Sequence, residues 1–218
     1  MEKTSTLHRW NNDSILRVVY REIEESIATK RELKAELANE IAEVASLLVE
    51  RLNTGHKLIA FGNGGSASDA QHLVAELVGR YQAERKALAA VTLTANSSSL
   101  TAIGNDYGFE NIFSRQLEAI AKPGDVALAI STSGNSANVL LALETAKSMG
   151  LTAIGLSGKT GGKMRALVDI CLRVPSDSTP RIQEVHSLII HILSGIVEKA
   201  FLPTALPSES LNGATVQK

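Results

Sequence analysis

The chain predicts an α/β fold: a five-stranded parallel sheet covered by helices on both faces, preceded by further N-terminal helices. Three observations carry this. Five short apolar runs, at 58–61, 87–93, 126–130, 151–156 and 169–174, are each too short for a helix and are bounded by Gly, Pro, Asn or Asp turns. Longer segments with helical periodicity separate them, and this alternation favours parallel strands with helical crossovers. The first and third runs end in polar glycine turns, and in parallel sheets ligands bind beyond such strand ends.

Taken in order, residues 1–12 are polar, give little periodic signal and are expected to form a loose arm. From 13 to about 29 the apolar positions Ile15, Val18, Val19, Ile23 and Ile27 follow helical spacing, with Asp13 as the expected N-cap. A second helix is expected over 31–52, on the stripe Leu33, Leu37, Ile41, Val44, Leu48 and Leu52, and Gly55 closes it. These two helices exceed what a compact core requires, so their apolar stripes are expected to pack either on this chain's own core or on a neighbouring copy. The run 58–61 leads into Gly62-Asn63-Gly64-Gly65, and Ser66 to Asp69 has capping-box spacing for the next helix. After the 87–93 strand comes a Ser-rich turn at 96–99, then a helix over 109–120. The 126–130 strand runs into Ser131-Thr132-Ser133-Gly134-Asn135-Ser136, and 137–149 is helical with Gly150 as its stop. Gly161-Gly162 turns the chain, a last helix is expected over 180–200, and 202–218 reads as a disordered tail.

Composition narrows the function classes. The 218 residues, 44% hydrophobic and 21% charged, suit one globular domain over 13–201. A net charge of −1 without long like-charge runs argues against nucleic acid or an anionic membrane as the main partner. Cys171 has no second cysteine to pair with and reads as a buried, inert thiol. No basic-then-apolar leader pattern opens the chain, and the most apolar helix is short and interrupted by His191 and Ser194, so a soluble cytoplasmic protein is expected.

Two loops are candidate phosphate cradles. Asn63-Gly64-Gly65-Ser66 follows the first strand, and the hydroxyl-rich segment 131–136 follows the third, each at a helix N-terminus. Free N–H groups and the helix dipole suit an anion there, and hydroxyls can donate to phosphoryl oxygens. No complete G-x-x-x-x-G-K-[ST] P-loop is present, since Ala153 stands five residues before Gly158-Lys159-Thr160, so a nucleotide is not indicated. The alternative for each loop is a plain turn and helix cap. One face of the helix after the first loop carries His72 and Glu76, four residues apart, which suit a divalent metal such as zinc, acid–base work, or a solvated polar face. Gln183 and His191 lie in RIQEVHSLIIHIL, with His186 and Glu184 as lesser polar candidates. Eight residues of helix rise about 12 Å, so Gln183 and His191 meet one ion only if Gln183 precedes the helix or the residues come from different subunits.

The segments GNGGSASDAQHLVAELVGRY, TAIGNDYGFENIFSRQ, GDVALAISTSGNSANVL, GKTGGKM and RIQEVHSLIIHIL resemble, in this order, the phosphoheptose isomerases of the sugar isomerase (SIS) fold family. The resemblance spans about residues 13–200. It implies a flavodoxin-like three-layer fold and a homotetramer with active sites at subunit interfaces. The implied reaction converts D-sedoheptulose 7-phosphate to D-glycero-D-manno-heptose 7-phosphate, the first step towards ADP- or GDP-heptose precursors such as those of lipopolysaccharide. By motif, Ser66, Ser131, Thr132, Ser133 and Ser136 would hold the phosphate, and Asn63, Gly64, Gly65, Asn105 and Asp106 would line the sugar site with Arg80 nearby. His72, Glu76, Gln183 and His191 match the family's zinc ligands, Glu76 and His191 its acid–base pair, and Gln183 also borders the substrate. Ser178-Thr179-Pro180 departs from members that carry an aspartate there. Non-catalytic relatives that bind the replication initiator share the serine loops but lack the glutamate and final histidine; both residues stand here.

Overall fold

The computed structural model describes residues 11–202. The expected arm and tail therefore lie outside the described residues, apart from Asn11, Asn12 and Leu202. One helix, α1 (Asn12–Asn53, 42 residues), stands where two were expected. Nothing between 28 and 32 breaks it, because neither Gly nor Pro occurs there; the Thr29 hydroxyl donates to the Glu25 carbonyl at 2.9 Å without interrupting the helix. Its N-cap is Asn11 rather than Asp13: the Asn11 side chain accepts from Ser14 N at 2.8 Å while Ser14 Oγ accepts from Asn11 N at 3.1 Å. At its far end Gly55 adopts φ +88° and turns the chain, as expected.

The remaining elements are β1 (Leu58–Gly62), α2 (Gly65–Val78), β2 (Ala90–Thr92), α3 (Ser97–Tyr107), α4 (Ser114–Ile120), β3 (Val126–Ser131), α5 (Ala137–Ser148), β4 (Thr152–Ser157), β5 (Ile170–Arg173) and α6 (Thr179–Ala200), with short 3₁₀ turns at Phe109–Asn111 and Gly162–Ala166. The sheet is wholly parallel with order β2-β1-β3-β4-β5, the flavodoxin-like arrangement. Chain direction across the sheet reverses between β1 and β3, so the crevice for ligands opens above their C-terminal ends. The Ser-rich turn expected at 96–99 is instead the start of α3, capped by the Asn96 side chain accepting from Ser99 N at 3.0 Å. No residue of α3 is fully buried; its apolar side is only Leu100 and Ile103, half-buried against the α4–α5 side of the core, a short signal behind a run of Asn and Ser that reads as a turn.

Strand alternation divides the core. Leu58, Ala60, Leu128, Ile130, Ile154 and Leu156 point to the face covered by α1, α2 and α6; Ile59, Phe61, Ala127, Ala129 and Ala153 point to the face covered by α4 and α5. The α1 stripe behaves in two ways. Leu33, Leu37, Ile41, Val44 and Leu48 are buried, whereas Ile15, Leu16, Val19, Tyr20, Ile23 and Ile27 remain exposed on the N-terminal half. Cys171 is half-buried rather than buried, and burial pushes its thiol pKa up, partly offset by Ser157 and nearby arginines, so it stays a protonated thiol.

Candidate active site

The β1–α2 turn forms without the expected capping box. Gly64, at φ +56°, is the N-cap and makes no side-chain cap bond. Ser66 is buried in the first turn, and Asp69 turns away to accept the Ser187 hydroxyl of α6 at 2.9 Å. Burial raises the Asp69 pKa, against the Ser187 bond and the charge of His72. Asn63 exchanges two hydrogen bonds with Asn138 at the start of α5, 2.8 and 2.9 Å, and so ties this turn to the loop after β3.

That second loop is built by close backbone approach. Gly134 has φ +63°, and a Cβ on it would lie 2.1 Å from the Gly161 carbonyl oxygen. Gly134 N donates to Ser131 Oγ at 3.2 Å, Met164 N to the Gly134 carbonyl at 3.0 Å, and Lys163 N to Asn135 Oδ1 at 3.0 Å. Ser131 and Ser136 face each other, their hydroxyls 3.4 Å apart. Thr132 and Ser133 open onto a cleft of about 310 Å³ together with Asn135, Lys159, Ser176 and Asp177. Thr132, Ser133 and Lys159 give this cleft donors for a phosphoryl group, beside the Asp177 carboxylate on its wall, while Ser136 caps α5 next to it in the chain.

Along the α2–α6 seam three pairs meet in register. The Gln183 amide lies against Gly65, Ser187 bonds Asp69, and His191 faces His72. At the last pair, His191 Nε2 is 3.3 Å from His72 Nε2, which is 3.1 Å from Glu76 Oε1; the three ligand atoms lie within 4.8 Å of one another. Two imidazoles and a carboxylate form a zinc-type donor set. At metal–nitrogen distances of about 2.0–2.1 Å the donors of a tetrahedral ion stand about 3.3 Å apart, so the spacing here fits. Gln183 lies inside unbroken α6, which removes the reading that it precedes the helix; it is two turns from His191 and sits at the glycine turn instead.

The other expected residues are placed less centrally. Arg80 is exposed just past the end of α2. Asn105 and Asp106 are exposed on the last turn of α3, where Asn105 donates to Asp106 at 2.8 Å rather than to either loop. His186 and Glu184 take structural parts. His186 is fully buried with Nε2 3.3 Å from the Ser157 carbonyl, and burial, against that bond, lowers its pKa to about 4, so it is neutral. Glu184 pairs with Arg181, which also binds Glu22 of α1. Sequence reasoning missed Asp69, Asn138 and Ser187. Their partners are 118, 75 and 118 residues away, a separation that leaves no local pattern.

Known proteins match this arrangement. The SIS domain model covers residues 23–158. A phosphoheptose isomerase from Geotalea daltonii is 58% identical over 164 residues, 75% of this chain and 85% of that protein. The solved phosphoheptose isomerase of Neisseria gonorrhoeae superposes with TM-score 0.81 at 43% identity, over 85% of this chain and 99% of that one. The Francisella tularensis phosphoheptose isomerase gives 0.82 at 39%, over 84% and 98%. With the fold, the hydroxyl loop and the His–Glu–His cluster all in place, the chain belongs to the phosphoheptose isomerases of the SIS domain family, and is a sugar phosphate isomerase.

Proposed function

We propose that this enzyme interconverts D-sedoheptulose 7-phosphate and D-glycero-D-manno-heptose 7-phosphate through an enediol. The observation that carries the reading is the convergence of His72, Glu76 and His191 on one point of the α2–α6 seam, on the helix that the first anion-suited loop opens. Ser66, Ser131, Thr132, Ser133 and Ser136 bind the phosphate, and Asn63, Gly64, Gly65, Arg80, Asn105, Asp106 and Gln183 border the sugar. Ketose–aldose exchange moves a proton between C1 and C2. Glu76 takes the carbon proton, and His191 supplies or returns the proton at the neighbouring oxygen; each role needs a group within hydrogen-bond reach of the reacting atom. Zinc, one per subunit, is the proposed cofactor: it would polarise the carbonyl and hydroxyl oxygens as a Lewis acid. His72, Glu76 and His191 would hold it, with Gln183 as the fourth ligand. Since Gln183 and His191 are separated by about 12 Å of helix rise, that ligand would come from another copy of the chain.

A homotetramer with interfacial sites belongs to this proposal, and the exposed α1 residues Ile15, Leu16, Val19, Tyr20, Ile23 and Ile27 support it. A cytoplasmic location and a product directed to ADP- or GDP-heptose precursors rest on the family resemblance; among the described residues no helix is long and apolar enough to cross a membrane. The test follows conversion of sedoheptulose 7-phosphate by NMR for wild type and Glu76→Gln, with and without zinc after chelation. Turnover in wild type that falls at least ~10²-fold in the variant is expected. Absence of turnover from folded, zinc-loaded wild type would sink the proposed substrate.

A further inference from the structure

One buried ion pair is unused by the chemistry above. The Glu198 carboxylate, 3% exposed near the C-terminal end of α6, accepts three consecutive backbone N–H groups, from Tyr81 at 2.8 Å, Gln82 at 2.8 Å and Ala83 at 2.9 Å. Its partner Arg85 approaches to 3.7 Å and donates to the carbonyls of Glu76, Leu77 and Gly79, which close the end of α2. A carboxylate used wholly on one backbone segment fixes where that segment lies. What the segment delivers is the Tyr81 ring, stacked on the His191 imidazole with centroids 5.8 Å apart and planes at 30°. His191 meets His72 edge-on as well, at 4.9 Å and 82°.

A second observation, independent of the clamp, concerns Gly195, one turn beyond His191 on α6. Glycine inside a helix costs about 1 kcal/mol relative to alanine, so its presence calls for a packing reason. A Cβ there would lie 3.3 Å from Tyr81 Cε1 and press the ring outward. The helix thus leaves room for the ring at the place where the clamp delivers it.

We propose that Tyr81, held by Glu198 and accommodated by Gly195, is a positioning residue that sets the plane of the His191 imidazole towards His72 and Glu76. The inference rests on the metal reading of that cluster. Groups that orient a metal-bound histidine typically change metal affinity about 10–100-fold when removed.

The experiment measures Zn²⁺ affinity by competition with a chromophoric chelator, the visible spectrum of Co²⁺-loaded protein, and the melting temperature. The proteins are wild type, Tyr81→Leu, Tyr81→Phe and Gly195→Leu. Expected are an affinity loss of at least about tenfold and an altered Co²⁺ spectrum for Tyr81→Leu and Gly195→Leu. Tyr81→Phe should match wild type, because the ring face and not the hydroxyl is used. In Gly195→Leu the gain in helix propensity opposes the crowding against Tyr81, so its melting temperature is read beside its affinity, and an affinity loss much larger than the melting shift accounts for separates an effect on the site from a loss of stability. Wild-type affinity and spectrum in Tyr81→Leu would overturn the inference while leaving the metal reading intact. Wild type that binds neither ion would remove the metal reading, and this inference with it.

Discussion

Replacing Gly134 by alanine tests whether the hydroxyl loop depends on close backbone approach. The native φ of +63° costs a non-glycine residue about 1–2 kcal/mol. The added Cβ would also stand 2.1 Å from the Gly161 carbonyl oxygen and 2.6 Å from its carbon, and backbone cannot rotate aside as a side chain can. Forcing atoms into such a contact adds about 1–3 kcal/mol, for a total near 2–5 kcal/mol. Gly55→Ala is the control: φ is +88°, but nothing lies within 4 Å of its Cβ position, so only the backbone cost applies. At about 2–4 °C per kcal/mol for a chain of this size, Gly134→Ala should melt roughly 2–12 °C below Gly55→Ala. Separation of the 131–136 loop from Gly161 should also raise KM for the sugar phosphate about tenfold or more, whereas Gly55→Ala leaves KM unchanged. Thermal unfolding and steady-state kinetics on the two variants decide the matter. Equal melting temperatures and equal KM values would refute the claim that contact, rather than φ alone, makes glycine necessary at 134.

Two further outcomes are expected. Burial raises the Glu198 carboxyl pKa, but the three N–H bonds and Arg85 outweigh it and hold the group below its ordinary value of about 4.3. Its stabilisation is therefore complete above that ordinary value and is lost as pH falls through the lower folded-state value, so Glu198→Gln should flatten the acid limb of a denaturant-derived stability–pH profile below about pH 4; an unchanged acid limb would contradict this. On the exposed stripe of α1, Ile23→Glu should lower the particle mass measured by light scattering towards the 23.2 kDa single chain, and an unchanged mass would exclude this stripe as the contact between copies.

What sequence alone determined here is whatever is written in local periodicity. The runs at 58–61 and 126–130 announced β1 and β3 because parallel strands buried on both faces are continuously apolar. The glycine and hydroxyl turns after them marked the crevice, and the i,i+4 spacing put His72 and Glu76 on one helix face. Where the apolar signal is short or interrupted, local pattern misleads: α3 sets only Leu100 and Ile103 on the core, and α1 reads as two helices because its apolar spacing lapses between Ile27 and Leu33. Only the tertiary structure decided which distant groups meet. Asn63 with Asn138, Asp69 with Ser187, His72 with His191 and Tyr81 with Glu198 are 75 to 119 residues apart, and they meet because the fold sets the β1–α2 turn against the start of α5 and packs α2 along α6. The same packing separates Gln183 from His191 and sets it at Gly65, since one straight helix cannot deliver residues 12 Å of rise apart to a single point.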